Sequence, residues 1–111
     1  MAKSKVKNGV EEVSEKEFYE KINDKIALVD FFAEWCMPCV MMAPVIEDMS
    51  EKFKGKISFA KVNVDENQGL AEKYRIMSIP TLVIFKDGKE IDRIIGAIQQ
   101  EQLVEKLKKL I

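Results

Sequence analysis

From residue 26 to 33 the chain reads Ile-Ala-Leu-Val-Asp-Phe-Phe-Ala, apolar at both side-chain parities except at Asp30. A run of that kind predicts a central strand covered on both faces. The period then changes. Met42, Val45, Ile46, Met49 and Phe53 recur at helical spacing among Glu47, Asp48, Glu51 and Lys52, so residues 36 to 53 predict a long amphipathic helix closed by Gly55. Ile57 to Val64 predicts a second apolar strand, and Asp65-Glu66-Asn67-Gln68 opens a short helix reaching about Tyr74. Two β-rich runs, Thr81 to Phe85 and Ile91 to Ile95, flank Lys86-Asp87-Gly88-Lys89 and predict a hairpin turning on the Asp-Gly pair. Near the start, Ser14 and Glu17 have capping-box spacing before a short helix through Phe18 and Ile22. A weaker strand falls within Val10 to Val13, and Leu103, Val104, Leu107, Leu110 and Ile111 mark a last amphipathic helix.

The resulting order is β-α-β-α-β-α-β-β-α, an α/β fold with a central mixed five-stranded sheet flanked by four helices. Strands joined through helices imply parallel neighbours with right-handed crossovers, and the hairpin adds an antiparallel edge. No repeat, low-complexity tract or linker interrupts the pattern, so residues 1-111 are expected to form a single domain. A chain of 111 residues, 47% hydrophobic and 33% charged, fits one compact core. At this length folding buries roughly 65% of the unfolded surface, enough without metal or several disulfides.

Charge narrows the function classes. Eighteen Lys plus Arg against nineteen Asp plus Glu leave a net charge of −1, without the basic footprint of a nucleic-acid binder. The basic ends, Lys3-Lys5-Lys7 and Lys106-Lys108-Lys109, read as solvated termini. No stretch approaches the ~18 apolar residues of a membrane span. Gly9-Val10-Glu11-Glu12 follows the lysine-rich start where a leader would place an apolar segment. The expectation is a cytoplasmic protein with no membrane partner.

The two cysteines, in Cys36-Met37-Pro38-Cys39, fall at the junction of the central strand and the long helix. A helix N-terminus stabilises a thiolate, the form that attacks a disulfide. Cys39, one turn on, is placed to close a disulfide onto Cys36. Redox work competes here with two other readings. A structural zinc site wants four ligands, and a chain with two cysteines and no histidine supplies half of one, requiring a bridged dimer. A purely structural disulfide closing so small a loop removes little denatured-state entropy. Cys-x-x-Cys beside a βαβ pattern favours redox chemistry. Asp30 is the second informative residue, because a carboxylate inside a doubly covered strand carries a large desolvation cost and a raised pKa. Lys61 shares parity with Ile57 and Phe59 on the neighbouring strand, which makes it either the companion of Asp30 or a snorkelling surface lysine.

Taken together, Val29-Asp30-Phe31-Phe32-Ala33-Glu34-Trp35-Cys36-Met37-Pro38-Cys39, Ala43-Pro44, Lys61-Val62-Asn63-Val64-Asp65, Ile79-Pro80-Thr81 and Gly96-Ala97 resemble the thioredoxin family over essentially the whole chain. The resemblance implies the thioredoxin fold and reduction of protein disulfides without a bound cofactor. Its implied partners are a thioredoxin reductase and disulfide-containing target proteins, and its implied state is a monomer. It makes Cys36 the exposed nucleophile and Cys39 the buried resolving thiol. Asp30 becomes the proton acceptor for Cys39, with Lys61 near it, and Pro80 a cis-proline against the disulfide. Trp35, Pro38, Ile79, Gly96 and Ala97 match the surface on which substrate chains lie, and Pro44 matches a proline that bends the long helix. Met37, Val40 and Met77 stand where the family usually has glycine, lysine and often arginine, and Phe32 replaces a second tryptophan. Met37 and Met77 thereby join the substrate surface as softer, more apolar contacts. A glutaredoxin-like disulfide exchanger and a redox-inactive binding module or subunit on the same fold are the rival readings.

Overall fold

The computed structural model describes residues 5–111. Six strands form one sheet in the order β1-β2-β4-β3-β5-β6, where β1 is Lys5–Lys7, β2 Val10–Glu12, β3 Ile26–Phe32, β4 Ser58–Asn63, β5 Thr81–Lys86 and β6 Lys89–Ile95. The helices are α1 (Glu15–Ile22), α2 (Met37–Lys52), α3 (Gln68–Lys73) and α4 (Gln100–Lys108). The five expected strands are β2 to β6. β3 pairs in parallel with β4 and antiparallel with β5, and β6 closes the edge as the hairpin partner of β5.

The sixth strand is an addition to the expected five and lies in the basic start, of which Lys3 falls outside the described residues. Lys5–Lys7 pairs antiparallel with β2 through the turn Asn8-Gly9, whose φ values of 51° and 85° are those of a tight hairpin turn. An Asn-Gly pair is itself a hairpin signal, masked here by the lysines around it. Gly9 also touches α2, because a Cβ placed on it would collide with the Ser50 hydroxyl. Gly9→Ala is therefore expected to lower stability by ~2 kcal/mol, the sum of left-handed backbone strain and that contact. In a Ser50→Ala background the penalty should shrink by about half, the part due to strain remaining. Urea denaturation of the four proteins checks both numbers.

Alternation along β3 divides the core. Ile26 and Leu28 face Met42, Ile46 and Met49 of α2 and Leu103 and Leu107 of α4. Ala27, Val29 and Phe31 face Phe18 and Ile22 of α1, Leu70 of α3, and Phe85. Phe18 centres an aromatic cluster, edge-to-face with Tyr19, Phe31, Tyr74 and Phe85 at 5.1 to 6.2 Å. Each fully buried side chain of this size contributes roughly 1.5–3 kcal/mol, so the two layers together hold β3 at the centre of the fold. At α1, Glu17 Oε1 accepts from the Ser14 N–H at 2.9 Å and from its hydroxyl at 2.8 Å, the carboxylate half of the expected capping box. Because Phe31 pairs with Thr81 and Thr81 pairs with Ile95, the end of β3, the start of β5 and the end of β6 lie side by side at one end of the strands. Among the described residues no helix is long and apolar enough to cross a membrane.

Candidate active site

β3 ends at Phe32, and the chain turns through Ala33 to Cys36, the N-cap of α2. Cys36 keeps an extended backbone, with φ −88° and ψ 108°, while Pro38 sits in the first helical turn, where a missing N–H leaves no intrahelical bond unmade. Cys36 and Cys39 are joined by a disulfide with a Cα–Cα distance of 5.2 Å. The N–H of Cys39 donates to Cys36 Sγ at 3.2 Å. A donor aimed at that sulfur, together with the positive end of α2, stabilises negative charge there once the bond is reduced.

Burial does not separate the two cysteines. Both are 4% exposed, which corrects the expectation of an exposed Cys36 and a buried Cys39. Phe32, Ala33, Val64 and Ile79 pack around the pair and cover both. The difference between the sulfurs lies in the helix start: Cys36 receives the backbone N–H, and Cys39 supplies it. The Ile79–Pro80 peptide is cis, and the Ile79 carbonyl lies 3.8 Å from Cys36 Sγ. With both sulfurs bonded this is packing, and it becomes a hydrogen bond only when Cys36 carries a proton. The Gly96 N–H donates to the Pro80 carbonyl at 2.8 Å, drawing the end of β6 over the proline. Gly96 has φ 92°, a conformation that glycine adopts without strain. Ala97 follows it, exposed.

Around this centre Trp35, Met37 and Met77 project into solvent. Trp35 is anchored, its Nε1–H donating to Asp65 Oδ2 at 2.8 Å. Asp65 is in turn placed by Asn63, a buried side chain whose Oδ1 accepts from the N–H groups of Asp65 at 2.9 Å and Glu66 at 3.3 Å. Reading the sequence missed Asn63 and Asp65 as site residues. The available signal was Asn63 itself, a polar residue closing an apolar strand beneath the turn that carries Asp65.

Asp30 and Lys61 are direct partners across β3 and β4, and Leu82 flanks Asp30 on the other side. Asp30 is 4% exposed and its Oδ1 has no hydrogen-bond partner among the described residues. Burial pushes its carboxyl from 3.8 up to about 7, with the Lys61 charge pulling the other way. Lys61 is half-buried, and its Nζ lies 5.2 Å from the centroid of the Phe32 ring, a cation–π contact. The two sequence readings of Lys61 thus merge: its stem crosses apolar surface, its charge is felt by Asp30, and its head rests on Phe32. By parity Asp30 shares the face of Leu28 that α2 covers, toward the end of β3 from which Cys36 follows. Among the described residues no group of three or more His, Cys, Asp or Glu is arranged to hold a metal ion.

A dithiol that closes into a disulfide at a helix start, on a mixed sheet and beside a cis Ile79–Pro80 peptide, is the apparatus of a thiol–disulfide oxidoreductase. The comparisons agree. The thioredoxin family model matches residues 9–109. Thioredoxin of Staphylococcus aureus is 45% identical over 97 residues, covering 87% of this chain and 93% of that protein. Among solved structures, a mutant thioredoxin from Halobacterium salinarum NRC-1 superposes with a TM-score of 0.86 at 33% identity, covering 93% of this chain and 91% of the other. Plasmodium falciparum thioredoxin gives 0.81 at 39% identity, covering 88% and 96%. The chain belongs to the thioredoxin family.

Proposed function

We propose that the protein reduces disulfides of target proteins, with Cys36 as the attacking thiolate and Cys39 as the resolving thiol. The observation that carries this reading is the Cys39 N–H aimed at Cys36 Sγ at the start of α2, which favours negative charge on Cys36 over Cys39. The Cys36 thiolate attacks one sulfur of a target disulfide, and the other leaves as a thiolate. The mixed disulfide is then attacked at Cys36 Sγ by Cys39. The target's second thiolate departs, and the Cys36–Cys39 disulfide of this structure is regenerated. Two electrons have moved from the dithiol to the target, so the cycle needs no bound cofactor.

Asp30 is the acceptor for the Cys39 proton. A carboxyl held up to about 7 passes between its two forms near neutral pH, which suits a group that takes and returns a proton. Lys61 moderates that shift by opposing it. Trp35, Met37, Pro38, Met77, Ile79, Gly96 and Ala97 form the surface on which the target segment lies, and Pro80, expected among them, is buried and supports that surface. A thioredoxin reductase restores the dithiol, and the cytoplasm, where thiols stay reduced, is the compartment that suits it. One domain, acting as a monomer, suffices for the cycle.

Insulin reduction coupled to a bacterial thioredoxin reductase and NADPH tests the proposal. NADPH oxidation should require this protein and stop when both cysteines are changed to serine. No turnover with the unmodified protein, although dithiothreitol opens the Cys36–Cys39 bond, would remove the reductase-coupled reading.

A further inference from the structure

We infer that Met37, Met41 and Met77 determine substrate choice, selecting polypeptide disulfides whose neighbouring residues are bulky and apolar. The inference rests on the reading of Cys36–Cys39 as the reacting centre. Five methionines lie among the described residues, and they divide sharply. Met42 and Met49 are buried between α2 and the sheet. Met37, Met41 and Met77 are 67%, 69% and 90% exposed.

All three exposed thioethers belong to the disulfide end. Met37 is bonded to Cys36, Met41 lies one turn further along α2, and Met77 stands two residues before Ile79, whose carbonyl approaches Cys36 Sγ. One helical turn apart, Met37 and Met41 share a face of α2. Trp35, Val40 and Ile95 are also exposed at this end of the sheet. Single exposed apolar side chains are ordinary, but their concentration around one reacting bond marks a contact surface. These six side chains carry no charge, and the nearby Asp65 carboxylate is engaged by Trp35.

The reaction itself identifies the occupant. To reach Cys36, which is 4% exposed and lies 3.8 Å from the Ile79 carbonyl, a disulfide must bring the residues on either side of it onto the exposed side chains that neighbour Cys36 and Ile79 along the chain. Apolar neighbours bury thioether surface that polar neighbours leave in water. Methionine, unbranched and polarizable, adapts to differently shaped partners, so the preference is for apolar character in general.

Two cystine peptides of equal charge, one with Leu and Phe beside each cysteine and one with Asn and Ser, test the inference through the second-order rate constant of reduction by the fully reduced protein. The parent should favour the apolar peptide about tenfold or more. That ratio should persist from about 0.05 to about 0.5 M salt, because screening acts on charges. In Met37→Gln/Met41→Gln/Met77→Gln the ratio should fall to roughly threefold or less, and in the matching triple Leu variant it should be retained. No preference in the parent, a preference that collapses with salt, retention in the Gln variant or loss in both variants would overturn the inference. Reduction of neither peptide by the parent would overturn the oxidoreductase reading beneath it instead.

Discussion

Cys36→Ser should abolish disulfide reduction, by on the order of a thousandfold or more, whereas Cys39→Ser should still attack and then stall as a mixed disulfide with its target. The asymmetry follows from the start of α2. Cys36 is the N-cap and its sulfur receives the Cys39 N–H at 3.2 Å, so removing it removes the thiolate the helix is built to stabilise. Removing Cys39 Sγ leaves that N–H in place and deletes only the second step. Incubating each reduced variant with a target that carries a disulfide and resolving the adduct on a non-reducing gel distinguishes the two. A stable adduct through Cys39 in the Cys36→Ser variant, with none through Cys36 in the other, would reverse the assignment.

Asp30→Asn should make the protein more stable and slower at once. Above pH 7 the native state holds a buried carboxylate that the unfolded chain keeps in water. The folded pKa, raised from 3.8 to about 7, means that folding retains the proton over that interval. Stability therefore falls as pH rises from about 4 to about 7 and is flat above, a total of roughly 4 kcal/mol at 1.36 per pKa unit. The Asn variant lacks this decline. Its advantage is absent near pH 3 and greatest above pH 7, and roughly 4 kcal/mol is its upper bound because the amide must itself find partners in the site. Without the proton acceptor, resolution of the mixed disulfide should slow by ~100-fold, while the initial attack by Cys36 changes little. Denaturant melts of both proteins across that pH range read the first effect, and rapid-quench kinetics at pH 7 read the second. A variant less stable than the parent at pH 8 would mean that the carboxylate is satisfied in the fold and that its burial is not the source of the shift.

The sequence made much of this legible because its strongest signals are local. Apolar residues at both parities from Ile26 to Ala33 identify a strand covered on two sides, and the polar interruption at Asp30 already marks the residue that burial perturbs. Asp87-Gly88 announces the β5–β6 hairpin. Cys36, Pro38 and Cys39 mark the start of α2 through their position after the strand. What escaped depends on contacts between distant segments. β1 is the exception, a local hairpin with β2 signalled by Asn8-Gly9, although the fit of Gly9 against Ser50 that supports it is long-range. The equal burial of the two cysteines comes from Phe32, Val64 and Ile79, contributed by three separate stretches of chain. Asn63 and Asp65 act on Trp35 across a separation of some thirty residues, and only the folded sheet brings them beside it.

Alkylation of the fully reduced native protein at pH 7 by a limiting amount of iodoacetamide, with the label located by peptide mass spectrometry, tests the central claim most directly. The helix start and the Cys39 N–H should make Cys36 react at least about tenfold faster than Cys39. Equal labelling of the two thiols, or faster labelling of Cys39, would contradict it.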